Sequence, residues 1–305
     1  MAVFRIHFLF VAILMVLASS PAWAQPAKKC GKNNPLGTYT DLRPIYPPAK
    51  NNRCVDNYTP GTWSFKDQSK KVKIVVTGGS LSQMDYFATG YGKWVAAACR
   101  NVEVVNIAEV ACNSSDILKK FDARVLQNKN VDLGAPGLEY WMMLQGGLNN
   151  VSDPNRVNAD FMELFQTVHA KGMKVFGVTL VPWGNPAKDK RWKGANAKKY
   201  QAWTKQCVDW MMGRLTPQEA LGRLCPAGKT SFAKADLPDV TLNLFDTPLL
   251  DKGSQYGHMK KELTKDGIHP LAEGHRMFIE HACTKGLLPR SWGCDCACLR
   301  KPSSN

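Results

Sequence analysis

The stretch Lys71-Val72-Lys73-Ile74-Val75-Val76-Thr77-Gly78-Gly79-Ser80-Leu81-Ser82-Gln83 decides how the rest of the chain is read. Val72, Ile74, Val75 and Val76 form a short β-branched run, the composition of a buried strand. Paired glycines after Thr77 mark a tight turn. Ser80 stands at the mouth of that turn, and a helical pattern follows over about 83–98. A hydroxyl placed there lies beyond the carboxyl end of a strand and near a helix N-terminus, where backbone N–H groups converge and stabilise negative charge. The same residues also suit an ordinary serine N-cap, so this stretch alone assigns no chemistry.

Working outward, apolar runs at 102–107, 140–144, 175–181 and 240–245 predict four more strands. Amphipathic spacing predicts helices over 116–126, 161–169, 200–215 and 271–283. Strands alternating with helices predict an α/β fold, a three-layer α/β/α sandwich around a central, mostly parallel five-stranded sheet. Ligands of such sheets bind beyond the carboxyl ends of the strands. The loops to inspect therefore begin at Gly78, Ala108, Gly146, Pro182 and Asp246.

With 305 residues, 44% hydrophobic and 21% charged, the chain has the composition of a globular protein and not of a disordered one. Residues 1–24 read as a secretory signal. Arg5 precedes the apolar run Phe8 to Leu17, and Ala22-Trp23-Ala24 supplies a small-x-small cleavage site. That run is short for a membrane span, and no later segment is apolar for long enough. Residues 25–70 are rich in Pro, Asn, Gly and Tyr and read as an irregular, Cys-containing extension, with Cys30 and Cys54 able to clip it. All ten cysteines follow the signal, an even count that suggests disulfides in an exported chain. Cys294-Asp-Cys-Ala-Cys298 lies in a Cys-rich tail over 290–305. Its one-residue spacing suits disulfides better than zinc. A formal charge of +15 favours an anionic partner. An acidic polysaccharide or cell-wall glycan suits an exported protein. The Lys-rich stretch Lys188 to Lys199 carries no nucleic-acid fold signature, so no nucleic acid is expected.

Four of the strand-end loops carry chemistry. Asp266-Gly267-Ile268-His269-Pro270 places an acid three residues before an imidazole on one turn. A serine nucleophile needs such a base, and the base needs an acid to hold its tautomer. Gly147-Leu148-Asn149-Asn150 brings an amide that can donate to an oxyanion. Asn106 to Leu118 runs from the second strand into a helix, and Ala111 offers a backbone N–H there. Taken singly, each also reads as a Gly/Asn or Asp-Gly turn. His258, His275, Trp183 and Trp192 are lesser candidates for substrate contact, with ordinary packing as the alternative.

The ordered set resembles the SGNH (GDSL-type) hydrolase family over Lys71 to about Leu288. Gly78-Gly79-Ser80-Leu81 resembles the nucleophile block and Asn106 to Leu118 the glycine block. Gly147 to Asn150 resembles the Gly-x-Asn-Asp block, and Asp266 to His269 the Asp-x-x-His block. Three positions depart from the pattern. Gly79 replaces an Asp, Ala111 stands where the block has Gly, and Asn150 replaces an Asp. The resemblance implies a flavodoxin-like hydrolase domain over 71–289, with Ser80 as nucleophile, His269 as base and then acid, and Asp266 orienting it. The oxyanion hole would be Ser80 N–H, Ala111 N–H and the Asn149 amide. No metal or cofactor is implied.

The function so implied is a secreted or periplasmic serine esterase acting on small acyl esters, such as O-acetyl groups, of a carbohydrate or lipid. Two alternatives share these residues: an acyltransferase onto polysaccharide, and a disulfide-stabilised binding protein of weak activity.

Overall fold

The computed structural model describes residues 71–83, 90–109, 111–184 and 193–299. The expected signal, the 25–70 extension and Trp192 lie outside the described residues. Five strands form the sheet: β1 (Val72–Gly78), β2 (Val102–Asn106), β3 (Glu139–Gln145), β4 (Lys174–Val178) and β5 (Val240–Leu242). Their order is β2-β1-β3-β4-β5, and every pairing is parallel. This is the α/β sandwich expected from the alternation of runs.

β1 is buried along its whole length, which is why its pattern is an apolar run and not an alternation. Helices cover both faces. α1 (Tyr91–Ala98) and α6 (Ala272–Thr284) pack together on one side. On the other, α3 (Pro154–Ala170) packs against α2 (Ser114–Lys119), α4 (Gly194–Met211) and α5 (Pro217–Leu221). Phe165 and Trp210 stack there at 5.8 Å with rings nearly parallel. From β1 the chain moves outward to β2, then returns past β1 to β3. That reversal opens a crevice between the loops following β1 and β3, where sheets of this order bind ligands.

Element bounds depart from expectation for local reasons. The described helix after β1 begins at Tyr91, with Gly90 as its N-cap, so Ser80 does not cap it. α3 starts at Pro154, before the amphipathic run. Asp153 accepts from Arg156 N, and Pro154 suits a first helical position because it needs no N–H partner. β4 stops at Val178 and β5 at Leu242, where the Asn243 side chain accepts from Phe245 N and turns the chain. The predicted 116–126 helix divides into α2 and a wider π turn at Asp122–Leu126.

Cysteine pairing ties the stretch after Leu288 to the body through Cys99–Cys294 and Cys283–Cys296. Cys298 and Cys112 are disulfide-bonded as well. The tail thus uses thiols for cross-links. Cys207 and Cys225 are free, so the even count does not mean complete pairing. Trp292 is fully buried against Trp141 and Phe176, at the amino ends of the strands and away from the crevice.

Candidate active site

The turn after β1 is held from three directions. Gly78 adopts φ +142°, and a Cβ built there would lie 1.8 Å from the Gln145 carbonyl oxygen. Only glycine lets β1 and β3 approach this closely. Ser82 Nh and Gln83 N–H both donate to the Gly79 carbonyl. The buried Ser82 hydroxyl donates to the Gln145 carbonyl at 2.9 Å, which leaves Tyr91 OH as donor to Ser82 Oγ at 2.8 Å. Asn106 Nδ2 donates to the Ser82 carbonyl at 2.8 Å. Burial pushes the Tyr91 phenol above its usual range, against the pull of the Ser82 bond, so it remains a neutral donor.

Ser80 projects from this turn toward His269, with Oγ 2.8 Å from Nε2. His269 Nδ1 lies 2.6 Å from Asp266 Oδ2. A proton on Nδ1 satisfies that carboxylate and leaves the Nε2 lone pair facing the serine hydroxyl. The other carboxylate oxygen, Oδ1, accepts from the N–H groups of Ile268 and His269, both at 2.8 Å, and from the Thr264 hydroxyl at 3.3 Å. Partial burial alone would raise the Asp266 pKa. The bonds from the His269 ring and from the two backbone N–H groups outweigh it and hold the carboxyl well below the usual carboxylate range. Gly267 takes φ +83°, donates to Thr264 Oγ1 at 2.9 Å, and accepts from Gly184 N at 2.6 Å.

The second wall of the crevice comes from the β2–α2 and β3–α3 loops. Asn149 Nδ2 donates to the Cys112 carbonyl at 2.7 Å. A Cβ on Gly79 would sit 3.5 Å from Asn149 Nδ2 and 3.6 Å from that carbonyl, so the three loops meet beside the serine turn. Ala111 has φ +61°, one of two non-glycine residues with positive φ among the described residues. It keeps a glycine-type conformation despite its Cβ. Asn150 accepts from Ser114 N at 3.1 Å and donates to Ser114 Oγ at 2.8 Å, joining the two loops.

Sequence reasoning overlooked three supports. Glu109 is buried and ion-paired to Lys120 at 2.6 Å and to Arg124, anchoring the loop that precedes Ala111. Tyr91 lies beneath the serine turn, and Thr264 lies behind Asp266. Each contact is between positions with no shared motif, so only a helix-face reading of Lys120 and Arg124 offered any signal. Of the lesser candidates, His275 is buried among Tyr91 and Phe278. Trp183 is buried with its N–H on Thr204 Oγ1 at 2.7 Å, so both are packed groups. His258 is also buried, beside Tyr256. Among the described residues no group of three or more His, Cys, Asp or Glu side chains forms a metal site, and no helix is long and apolar enough to cross a membrane.

What fold and crevice define is an α/β protein with a serine, an imidazole and a carboxylate in series at the carboxyl edge of a parallel sheet. Among solved structures, the chain is similar to a putative lipolytic protein of the G-D-S-L family from Desulfitobacterium hafniense. The identity is 16%, with 69% of this chain and 98% of that one covered, at a TM-score of 0.46. It is also similar to an acetyl xylan esterase, at 14% identity, 71% and 100% coverage and a TM-score of 0.46. A putative acylhydrolase from Bacteroides fragilis aligns at 14% identity over 73% of this chain and 90% of that one, with a TM-score of 0.44. No family model matches the sequence, and no curated protein matches it.

Proposed function

We propose that the protein is a serine ester hydrolase that removes small acyl groups, such as acetyl, from a carbohydrate or lipid alcohol. The observation that carries this reading is the relay from Ser80 Oγ through His269 to Asp266, at 2.8 and 2.6 Å, built from loops 189 residues apart. In this reading His269 Nε2 takes the Ser80 proton as Oγ attacks the ester carbonyl. Asp266, ionised throughout, stabilises the imidazolium. Negative charge on the carbonyl oxygen is met by the N–H groups of Ser80 and Ala111 and by the Asn149 amide. Collapse of that intermediate expels the alcohol, which takes the proton back from His269. Water then attacks the acyl-serine by the same route and releases the acid. Disulfides in the folded body suit an exported, oxidising setting.

The test is covalent labelling with a fluorophosphonate alongside hydrolysis of p-nitrophenyl acetate. Wild type should label and turn over. Ser80→Ala should do neither, and His269→Ala should lose about 10⁴-fold or more in kcat. Asn149→Ala should lose about 10²-fold or more in kcat. Equal labelling of Ser80→Ala, or a folded wild type that never labels, would overturn the reading.

A further inference from the structure

Behind the acid end of the relay lies a groove of about 770 Å³, within the range of small-ligand sites. Two of its wall residues hold the loop that carries Asp266 and His269. Thr264 bonds the Asp266 carboxylate, and Gly184 N–H donates to the Gly267 carbonyl. The far wall is a loop folded back on itself. Asp251 N donates to the His258 carbonyl at 2.9 Å, His258 N to Ser254 Oγ at 3.0 Å, and Lys260 N to the Leu249 carbonyl at 2.9 Å. These bonds fix the backbone of the wall without help from any ligand.

Its lining mixes three kinds of group. Lys193, Lys260 and Lys261 bring ammonium charges, and among the described residues none of the three is ion-paired. Asp251, Glu262 and Gln255 offer hydrogen-bonding oxygens. Tyr256 presents a partly exposed ring, backed by the buried His258 at 6.0 Å between centroids. A partly exposed ring beside carboxylates and amides suits the apolar face and hydroxyls of a sugar. Three lysines against the two carboxylates leave the lining net positive, which favours a sugar bearing an acid over a neutral one.

We propose that this groove is a subsite for a uronic acid residue of the polysaccharide that carries the acyl group, with Tyr256 under the ring and Lys193, Lys260 and Lys261 around its carboxylate. The proposal rests on the esterase reading for its link to turnover, but its binding chemistry stands apart from catalysis. It is tested by calorimetric titration of full-length Ser80→Ala, which cannot turn substrate over, with tri-galacturonate and with neutral xylotriose. Tri-galacturonate should bind saturably and weaken as salt rises, with xylotriose at least about tenfold weaker. Lys260→Gln combined with Lys261→Gln should weaken tri-galacturonate by about tenfold or more, and Tyr256→Ala should weaken both sugars. Circular dichroism melts of the variants confirm that they are folded. Equal affinity for the two sugars, no binding of either, or tri-galacturonate affinity untouched by the folded lysine variant would each overturn the proposal. Lysine-dependent binding in a protein whose wild type resists fluorophosphonate would remove the esterase reading and leave the subsite standing.

Discussion

Gly78 and Gly79 are adjacent in sequence and do different physical work. A methyl at Gly78 would collide with the backbone oxygen of Gln145 at 1.8 Å, and backbone on a paired strand cannot step aside. Gly78→Ala should therefore cost about 3 kcal/mol or more in stability, read from urea denaturation, or prevent recovery of folded protein. A methyl at Gly79 meets its neighbours at 3.5 and 3.6 Å, ordinary contact, and its φ is not positive. Gly79→Ala should stay within about 0.5 kcal/mol of wild type. At Ala111 the direction reverses. The residue holds φ +61° with a Cβ in place, so Ala111→Gly relieves local strain while freeing the unfolded chain. The net change expected is between zero and a gain of about 1 kcal/mol, with fluorophosphonate labelling retained. A loss of more than that on denaturation would show that the methyl contributes packing instead.

Among the elements, α6 carries an acid-sensitive group that its pattern does not betray. His275 sits on the buried face against Tyr91 and Phe278, and its Nδ1 has no hydrogen-bond partner among the described residues. Burial, and secondarily the nearby His269, push its pKa down to about 3 from an ordinary 6.5. Between those two values the unfolded chain binds a proton that the folded chain refuses. Stability is therefore lost as pH falls from about 6.5 toward 3, by up to about 1.4 kcal/mol per pH unit from this residue. His275→Phe should flatten that part of a urea midpoint against pH curve, and an unchanged slope would refute the assignment. The same helix illustrates what was legible beforehand. Its span follows from its apolar spacing, and the Asp266–His269 turn before it from residues three apart. Asn149 and Ser80 were likewise legible as polar groups at the ends of apolar runs. Glu109 with Lys120 and Arg124, or Tyr91 with Ser82, were not, because these contacts depend on how separate elements dock. Strand ends failed where a side chain, such as Asn243, takes over the backbone bonding that continued alternation would suggest.

For the molecule as a whole, the cross-link between Cys99 and Cys294 spans 195 residues. Closing so long a loop restricts the unfolded chain by about 5 kcal/mol on the chain-entropy account. Replacing both cysteines by alanine should lower stability by about 2–5 kcal/mol, and the melting temperature with it, in calorimetry under non-reducing conditions. If reductant shifts wild type and this double variant equally, the bond contributes nothing. Its neighbour Trp292 adds a constraint of timing. The aromatic plug beneath Trp141 and Phe176 is supplied by a residue that is synthesised only after all five strands. Without residue 292, the side chains of Trp141 and Phe176 would lose the ring that covers them at the floor of the sheet. The core at that end of the sheet is therefore complete only when residue 292 is in place, and the Cys99–Cys294 bond two residues further on ties that plug to α1's end.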